Sequence, residues 1–239
     1  MLSSGFLEAT DRVYDECAGG IADLDRIIVG TPSMLAGKTR TALVPTLYAY
    51  WERFFRVVMG EFLQAVSSAK LPLGDLNSAL AKLRVKRAIR ESIGRNGYQA
   101  LMAAIENHGL VKVSVEVNEI AQGASMLIAE LASNARFADP ETWIETESNV
   151  RYEVIERNYA AFGLKIDALR ATLEEGGFKL YPDLKDLVDT RNKIAHSETI
   201  SPTTQQQWER LRTFTVNLMN ALQLSLHGEL EDEAHRGAA

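Results

Sequence analysis

The stretch DLVDTRNKIAH, which runs from Asp186 to His196, guides the interpretation of the whole chain. Apolar residues at helical spacing begin just before it and continue through it, which predicts an amphipathic helix: Leu184, Leu187, Val188, Ile194 and Ala195. Arg191 lies seven residues after Leu184, so it falls on the same apolar stripe. A charge on a buried stripe costs free energy unless it is paired or faces a polar cleft. The position of Arg191 therefore needs a physical explanation.

The composition is that of a globular protein with a sizeable core. The chain has 239 residues, of which 46% are hydrophobic, and a net charge of −6. That charge argues against a surface coated with cations for nucleic acid, although it is compatible with a local basic groove. The single cysteine, Cys17, excludes an internal disulfide framework and fits a reducing compartment.

The start of the chain, MLSSGFLEATDR, lacks the basic residues and apolar run of a signal peptide. The least polar stretch, Leu43–Val66, is interrupted by four charged residues, so no membrane span is expected. We therefore expect a soluble cytoplasmic protein without a membrane partner. The four histidines and Cys17 do not cluster at metal-ligand spacing, and no phosphate-binding glycine loop stands out, so we expect neither a metal nor a cofactor.

Helical periodicity covers most of the chain. Glycine, proline and capping residues divide it into segments: about Ser4–Val29, Thr41–Ala69, Leu76–Ile93, Tyr98–Asn107, Glu119–Arg136, one or two helices in Trp143–Phe162, Lys165–Glu175, the motif helix opening at Pro182-Asp183, and a long last helix opening at Ser201-Pro202. Gly30–Arg40 is rich in small polar residues, which predicts a loop. The fold class predicted is an all-α bundle, with one domain over residues 1–228 and a flexible acidic tail at 229–239.

One segment has the alternation of a strand. Between residues 110 and 117, valines at every second position alternate with Lys112, Ser114 and Glu116. A single strand cannot form a sheet, so three alternatives remain open. The segment could pair locally, pair across a dimer, or be the extended start of the next helix.

Two groups of residues could contact nucleic acid. Tyr48, Trp51 and Phe55 could stack on bases, but their helical spacing favours a place in the core. The helix from about Leu76 to Ile93 is basic along its second half and could follow an RNA backbone. Its candidate RNA-binding residues are Lys82, Lys86, Arg87 and Arg90. An ordinary solvated helix face is the alternative for this group.

Three stretches of the chain resemble HEPN domains, and in particular the MAE-type branch of HEPN-like nucleases. LVDTRNKIAHSE resembles the HEPN motif of Arg, often followed by Asn, and then His after four to six residues. AYWERFF, Ala49–Phe55, is similar to the early Trp-Glu helix of that branch, and ESNVRYEVIERNYAAFGL, Glu147–Leu164, to its Ser-Asn segment ending in Gly-Leu. One position departs from the pattern, because Ser197 stands where the branch usually has glycine after the histidine.

The resemblance implies a HEPN-like helical bundle that forms a homodimer, with two Arg/His motifs in one cleft. It implies a metal-independent endoribonuclease acting on RNA, as a toxin or an anti-phage defence effector with an antitoxin or defence-system partner. The alternative is a non-catalytic HEPN module that binds a nucleotide, RNA or a protein, and Ser197 favours that alternative because it changes the backbone freedom beside His196.

The chemistry of the motif residues agrees with cleavage of RNA. Histidine suits proton transfer, so His196 is assigned as general acid or base. Arginine offers a planar fork for phosphate oxygens, so Arg191 is assigned to the phosphate and the transition state. Asn192 shares a helix face with His196 and would support it. Glu52 could support the motif from the aromatic helix, and its alternative is an ordinary pair with Arg56 four residues on.

The spacing within the motif limits how the site can be built. Arg191 and His196 are five residues apart, and at about 100° per residue they diverge by roughly 140° on an ideal helix. They cannot both face one narrow cleft from an unbroken helix. Either the helix ends near Ala195 and redirects His196, or a second chain supplies the complementary group.

Overall fold

A computed structural model describes residues 2–71, 75–87, 137, 139–146, 149–196, 201–233 and 236. Its named elements are α1 Leu2–Val29, α2 Ser33–Ser68, a 3₁₀ helix Pro140–Trp143, α3 Tyr152–Phe162, α4 Ile166–Glu175, α5 Leu180–Ala195 and α6 Gln205–Glu231; residues 78–87 are also helical. Within these ranges there is no strand, and the one β-bridge joins Leu76 to Arg236. The predicted all-α fold is confirmed.

The core is organised around α2. This helix packs against α1, α5, α6 and the 3₁₀ helix. Its aromatic stripe is buried completely or nearly so: Tyr48, Trp51, Phe54, Phe55 and Phe62. Each fully buried aromatic side chain contributes on the order of 2 to 3 kcal/mol of hydrophobic free energy. The prediction that these residues form the core, rather than an exposed stacking surface, is confirmed.

The helix α2 begins earlier than predicted, because Gly30–Arg40 is not a loop but is helical from Ser33 onward. Its first turns are held by residues far away in sequence. Arg40 Nε donates to the Thr203 carbonyl at 2.8 Å, and Thr41 Oγ1 accepts from the Thr203 N–H at 2.8 Å. Pro45 consequently lies inside the helix, where it removes one backbone hydrogen bond.

The same contact sets the start of α6. Thr203 is hydrogen-bonded to α2 and is not helical, so the helix begins at Gln205 and not at the predicted Ser201-Pro202. Thr204 caps it through a reciprocal pair, accepting from the Gln207 N–H at 3.2 Å while its own N–H donates to Gln207 Oε1 at 3.0 Å. At the other end α6 extends to Glu231, three residues past the expected domain boundary at 228. Leu230 there is buried.

The region before α3 is also less helical than predicted. Among the described residues of Trp143–Phe162, the α-helix covers Tyr152–Phe162, and residues 149–151 are not helical. Gly163 ends α3 with φ +72°, a left-handed conformation that favours glycine. The helices predicted at Tyr98–Asn107 and Glu119–Arg136, and the alternating segment 110–117, lie outside the described residues.

The motif helix α5 is anchored at its first turn by Asp183. This residue is 7% exposed. One carboxylate oxygen accepts from the Lys179 N–H at 2.7 Å, and the other pairs with Arg210 on α6. The helix therefore starts at Leu180, before the predicted Pro182.

Among the described helices, none is long and apolar enough to cross a membrane.

The anchoring by Asp183 predicts a stability difference between two acids on α5. We expect Asp183→Asn to lower the free energy of unfolding by about 2 kcal/mol, since hydrogen bonds to a charged group contribute on that order. Chemical denaturation measures the change. Asp186→Asn, which changes an exposed acid on the same helix, should stay within about 0.5 kcal/mol of wild type. Equal stability of the two variants would show that Asp183 does not anchor the helix.

Candidate functional site

Arg191 is held by an aromatic ring and an amide. Its guanidinium carbon lies 5.5 Å from the centroid of the Tyr48 ring, and Nη1 donates to Asn192 Oδ1 at 3.0 Å. The side chain is half-buried, and no carboxylate of the described residues lies within ion-pair distance of it. The electron-rich ring face stabilises the cation without neutralising it. The charge predicted on the apolar stripe thus faces α2, and no described carboxylate pairs with it.

The Tyr48 ring is fixed because two side chains of α2 form hydrogen bonds with the backbone of Val150. The Tyr48 hydroxyl accepts from the Val150 N–H at 2.5 Å, and Trp51 Nε1 donates to the Val150 carbonyl at 3.2 Å. All three residues are almost completely buried. Both backbone polar groups of the buried Val150 are therefore satisfied by side chains, as buried backbone outside a helix requires. One tyrosine consequently positions the 149–151 segment through its hydroxyl and Arg191 through its ring.

The environment of the Tyr48 hydroxyl shows which groups surround it. Burial raises the pKa of Tyr48 far above its ordinary value, and the hydrogen bond from Val150 lowers that pKa by a smaller amount. The negative charge of Glu52 raises the same pKa, and Arg191 lowers it. The hydroxyl therefore stays protonated throughout the physiological pH range and acts as a neutral positioning group.

Asn149 connects the segment that contains Val150 to the motif helix by a hydrogen bond. Its Nδ2 donates to Asn192 Oδ1 at 3.4 Å, the same oxygen that accepts from Arg191. Because the guanidinium can only donate, it fixes the Asn192 oxygen as the acceptor and the Asn149 nitrogen as the donor. Asn149 Oδ1 is buried and has no hydrogen-bond partner among the described residues. The three stretches that carry the resemblance thus meet at one point, through Trp51, Val150, Asn149 and Asn192.

His196 lies at the end of the motif helix. The helix stops at Ala195, and the backbone N–H of His196 donates to the Asn192 carbonyl at 3.0 Å. Its side chain is exposed and makes no hydrogen bond with a described residue, Arg191 included. The helix ends at Ala195, as the first of the two predicted geometries requires, but no described contact brings His196 to Arg191. Within one chain, however, Arg191 faces α2 and His196 extends from the helix end into solvent.

Glu52 makes the ordinary pair that was its alternative. Its Oε1 accepts from Arg56 Nη2 at 2.9 Å, and the Glu52 side chain is 23% exposed. It reaches the site indirectly, through its effect on the Tyr48 hydroxyl. No described contact joins Glu52 to Arg191 or His196. Its supporting role stays a prediction.

The basic segment divides into exposed and packed residues. Lys82 and Lys86 are exposed, and Arg90 lies outside the described residues. Arg87 donates from Nη1 to Thr142 Oγ1 at 2.7 Å and stacks 4.2 Å from the Trp143 ring centroid. Arg87 thus has a packing role at the 3₁₀ helix.

Among the described residues, no group of three or more His, Cys, Asp or Glu side chains could hold a metal ion.

Sequence reasoning missed Tyr48 and Asn149 as parts of the site. The helical spacing of Tyr48 favours the core over base stacking and indicates no contact with the motif; this residue directly precedes the AYWERFF stretch. Asn149 lies inside the ESNVR stretch that carried the resemblance, but no role was assigned to it. A polar atom on a core aromatic was the available signal for Tyr48, because a buried hydroxyl needs a partner.

The hydrogen bond from the Val150 N–H to the Tyr48 hydroxyl predicts a specific loss of stability. Tyr48→Phe keeps the ring under Arg191 but leaves the buried Val150 N–H without a partner. We expect the free energy of unfolding to fall by about 2 kcal/mol in urea denaturation. Tyr50→Phe is the control, because the half-buried Tyr50 hydroxyl makes no hydrogen bond with a described residue. An equal loss in both variants would contradict the assignment.

Comparison with known proteins supplies the family. The RiboL-PSP-HEPN family model matches residues 31–227, which span α2 through most of α6 and contain every site residue named above. No curated protein and no solved structure matches the chain. The narrower likeness to the MAE-type branch stays a resemblance. The chain belongs to the HEPN family, in the group described as RiboL-PSP-HEPN.

Proposed function

We propose that the protein is a metal-independent endoribonuclease whose site is shared between two chains of a homodimer. The observation that carries the proposal is the guanidinium of Arg191. It is held in place by Tyr48 and Asn192, and no carboxylate in the described part of the chain neutralises it. A positioned cation without a counter-charge is what binding of a phosphate group requires.

The reaction follows from the chemistry of RNA itself. His196, as general base, takes the proton of a 2′-hydroxyl. The 2′-oxygen then forms a bond to phosphorus, the bond from phosphorus to the 5′-oxygen breaks, and the leaving oxygen takes a proton from solvent. Arg191 stabilises the negative charge on the phosphate oxygens in the transition state. The products are a 2′,3′-cyclic phosphate and a free 5′-hydroxyl.

The contacts of Arg191 leave capacity for this role. A guanidinium has five N–H donors, and Asn192 uses one of them. The cation–π contact with Tyr48 uses none of these N–H donors in a hydrogen bond. The remaining donors can pair with two phosphate oxygens in a fork. Asn192 serves as the positioning residue that keeps this fork oriented.

A second chain would bring a histidine to Arg191, which its own chain does not. Arg191 faces α2 and His196 extends from the end of α5, so no hydrogen bond joins them within one chain. In a two-fold dimer, each motif meets its own copy in the opposite orientation. The partner's His196 then complements Arg191, which satisfies the second geometry that the spacing predicted.

The biological role proposed is that of a toxin or an anti-phage defence effector in the cytoplasm. Unrestrained cleavage of RNA damages the cell that makes the enzyme. Such a role therefore calls for a partner protein, such as an antitoxin or another defence component, that holds the enzyme inactive. Lys82 and Lys86 are exposed cations that would contact the RNA backbone.

The proposal predicts cleavage of RNA in the presence of EDTA by purified wild-type protein. Arg191→Ala and His196→Ala should each lower the rate by at least about 100-fold, because each removes a group that acts on the transition state. Gel electrophoresis of a labelled RNA, with identification of the product ends, measures both rate and chemistry.

Lys193→Ala is the matched control. Lys193 is an exposed residue in the same turn of α5, so its loss removes one positive charge without touching Tyr48 or Asn192. It should cleave at nearly the wild-type rate. Equal cleavage by wild type, Arg191→Ala and His196→Ala would identify a contaminant and overturn the proposal. Loss of cleavage in EDTA would reject the metal-free mechanism, and RNA binding without cleavage would support the non-catalytic alternative.

A further inference from the structure

An open pocket of about 170 Å³ lies beside the motif, between the segment around Asn149 and one face of α5. Asn192 belongs both to this pocket and to the Arg191 network. His196 and Arg191 do not line it. The pocket is therefore a neighbour of the proposed phosphate position and has its own set of walls.

We propose that this pocket is a subsite for a single nucleobase, with pyrimidines preferred over purines. The ligand class is a pyrimidine nucleotide, either free or within RNA. The placement of its phosphate at Arg191 rests on the proposed function. The recognition of the base rests on the pocket alone.

The walls of the pocket suit a flat ring. Tyr152 and Tyr181 meet edge to face, with ring centroids 5.4 Å apart and planes at 87°. Tyr152 is held by its hydroxyl, which donates to Glu156 Oε1 at 2.6 Å and also contacts Arg170. Tyr181 is 50% exposed, so one of two fixed aromatic rings is open to a ligand. Stacking of a base on such a ring is favourable for every base.

The charges of the pocket favour a neutral ligand. Its four charged residues form two opposite pairs, Arg151 with Glu153 at 3.6 Å and Lys185 with Asp189. These pairs balance, so the pocket offers no net positive charge to a phosphate. Arg191, one residue from Asn192, has no such pairing with a described carboxylate. The arrangement separates a site for the anion from a site for the uncharged base.

Connectivity and size agree with this division. In a nucleotide, one ribose separates the phosphate from the base, and Asn192 separates Arg191 from the pocket. Asn149 and Asn192 line the pocket. Asn149 Oδ1 is buried and Asn192 Oδ1 already accepts two hydrogen bonds, so the amide N–H groups are the ones that can donate to a base edge. A cavity of about 150 Å³ accommodates one benzene-sized ring. A pocket of 170 Å³ therefore takes the single ring of a pyrimidine more completely than the fused rings of a purine.

Ligand-observed NMR on the full-length His196→Ala protein tests the subsite without cleavage. The probes are the 3′-monophosphates of cytidine, uridine, adenosine and guanosine, followed by a short pyrimidine-rich RNA to separate free nucleotide from RNA as the natural ligand. We expect saturable transfer to the base protons of the pyrimidine nucleotides and weaker binding of the purines. Adding Tyr181→Ala should weaken pyrimidine binding about tenfold, because a stacking surface is lost.

Two further variants make the result specific. Tyr181→Phe keeps the ring and should retain binding, whereas Leu224→Ala removes an equally exposed apolar side chain on α6 that does not line the pocket, and it should change nothing. Purine binding as tight as pyrimidine binding, or equal affinities of the Tyr181→Ala and Leu224→Ala proteins, would overturn the proposal. Because the readout is binding, a protein that never cleaves RNA can still support the subsite, and an active ribonuclease can still contradict it.

Discussion

The site depends on two hydrogen bonds between side chains of α2 and the backbone of Val150. Backbone outside the helices has no helical hydrogen bonds to satisfy its polar groups, so a buried residue there needs side-chain partners. Tyr48 and Trp51, one helical turn apart on α2, supply one acceptor and one donor. That pairing sets where Asn149 meets Asn192, and it places the Tyr48 ring beneath Arg191. The core of the bundle and the geometry of the motif therefore share the same residues.

The arginines of this protein show how Arg191 differs from a structural cation. Arg210 pairs with the buried Asp183, and Arg212 donates to Asp25 at 3.0 Å. In both cases a carboxylate neutralises the charge and ties two helices together. Among the described residues, Arg191 instead contacts a ring face and an amide oxygen, which orient the guanidinium without a neutralising carboxylate. Orientation without neutralisation is useful to an anion that arrives later, because less reorganisation is then needed at binding.

The sequence predicted the helices and the motif far better than the contacts between them. Periodicity was sufficient for the buried stripe of α2, and helix geometry showed that Arg191 and His196 diverge. The start of α2 was missed because Thr203, which holds Arg40, is more than 160 residues away in sequence. Tyr48 was placed correctly in the core, yet its two further contacts depend on segments that only the folded chain brings together.

We propose that one chain carries half of a site, with Arg191 complemented by the partner's His196. The direct test is to co-express Arg191→Ala and His196→Ala chains with different affinity tags and to isolate the mixed dimer. One of its two sites then combines an intact arginine with an intact histidine, so we predict about half of the wild-type rate of RNA cleavage. Both homodimers of the single variants should be inactive. A mixed dimer as inactive as these homodimers, or chains that do not co-purify, would contradict the account.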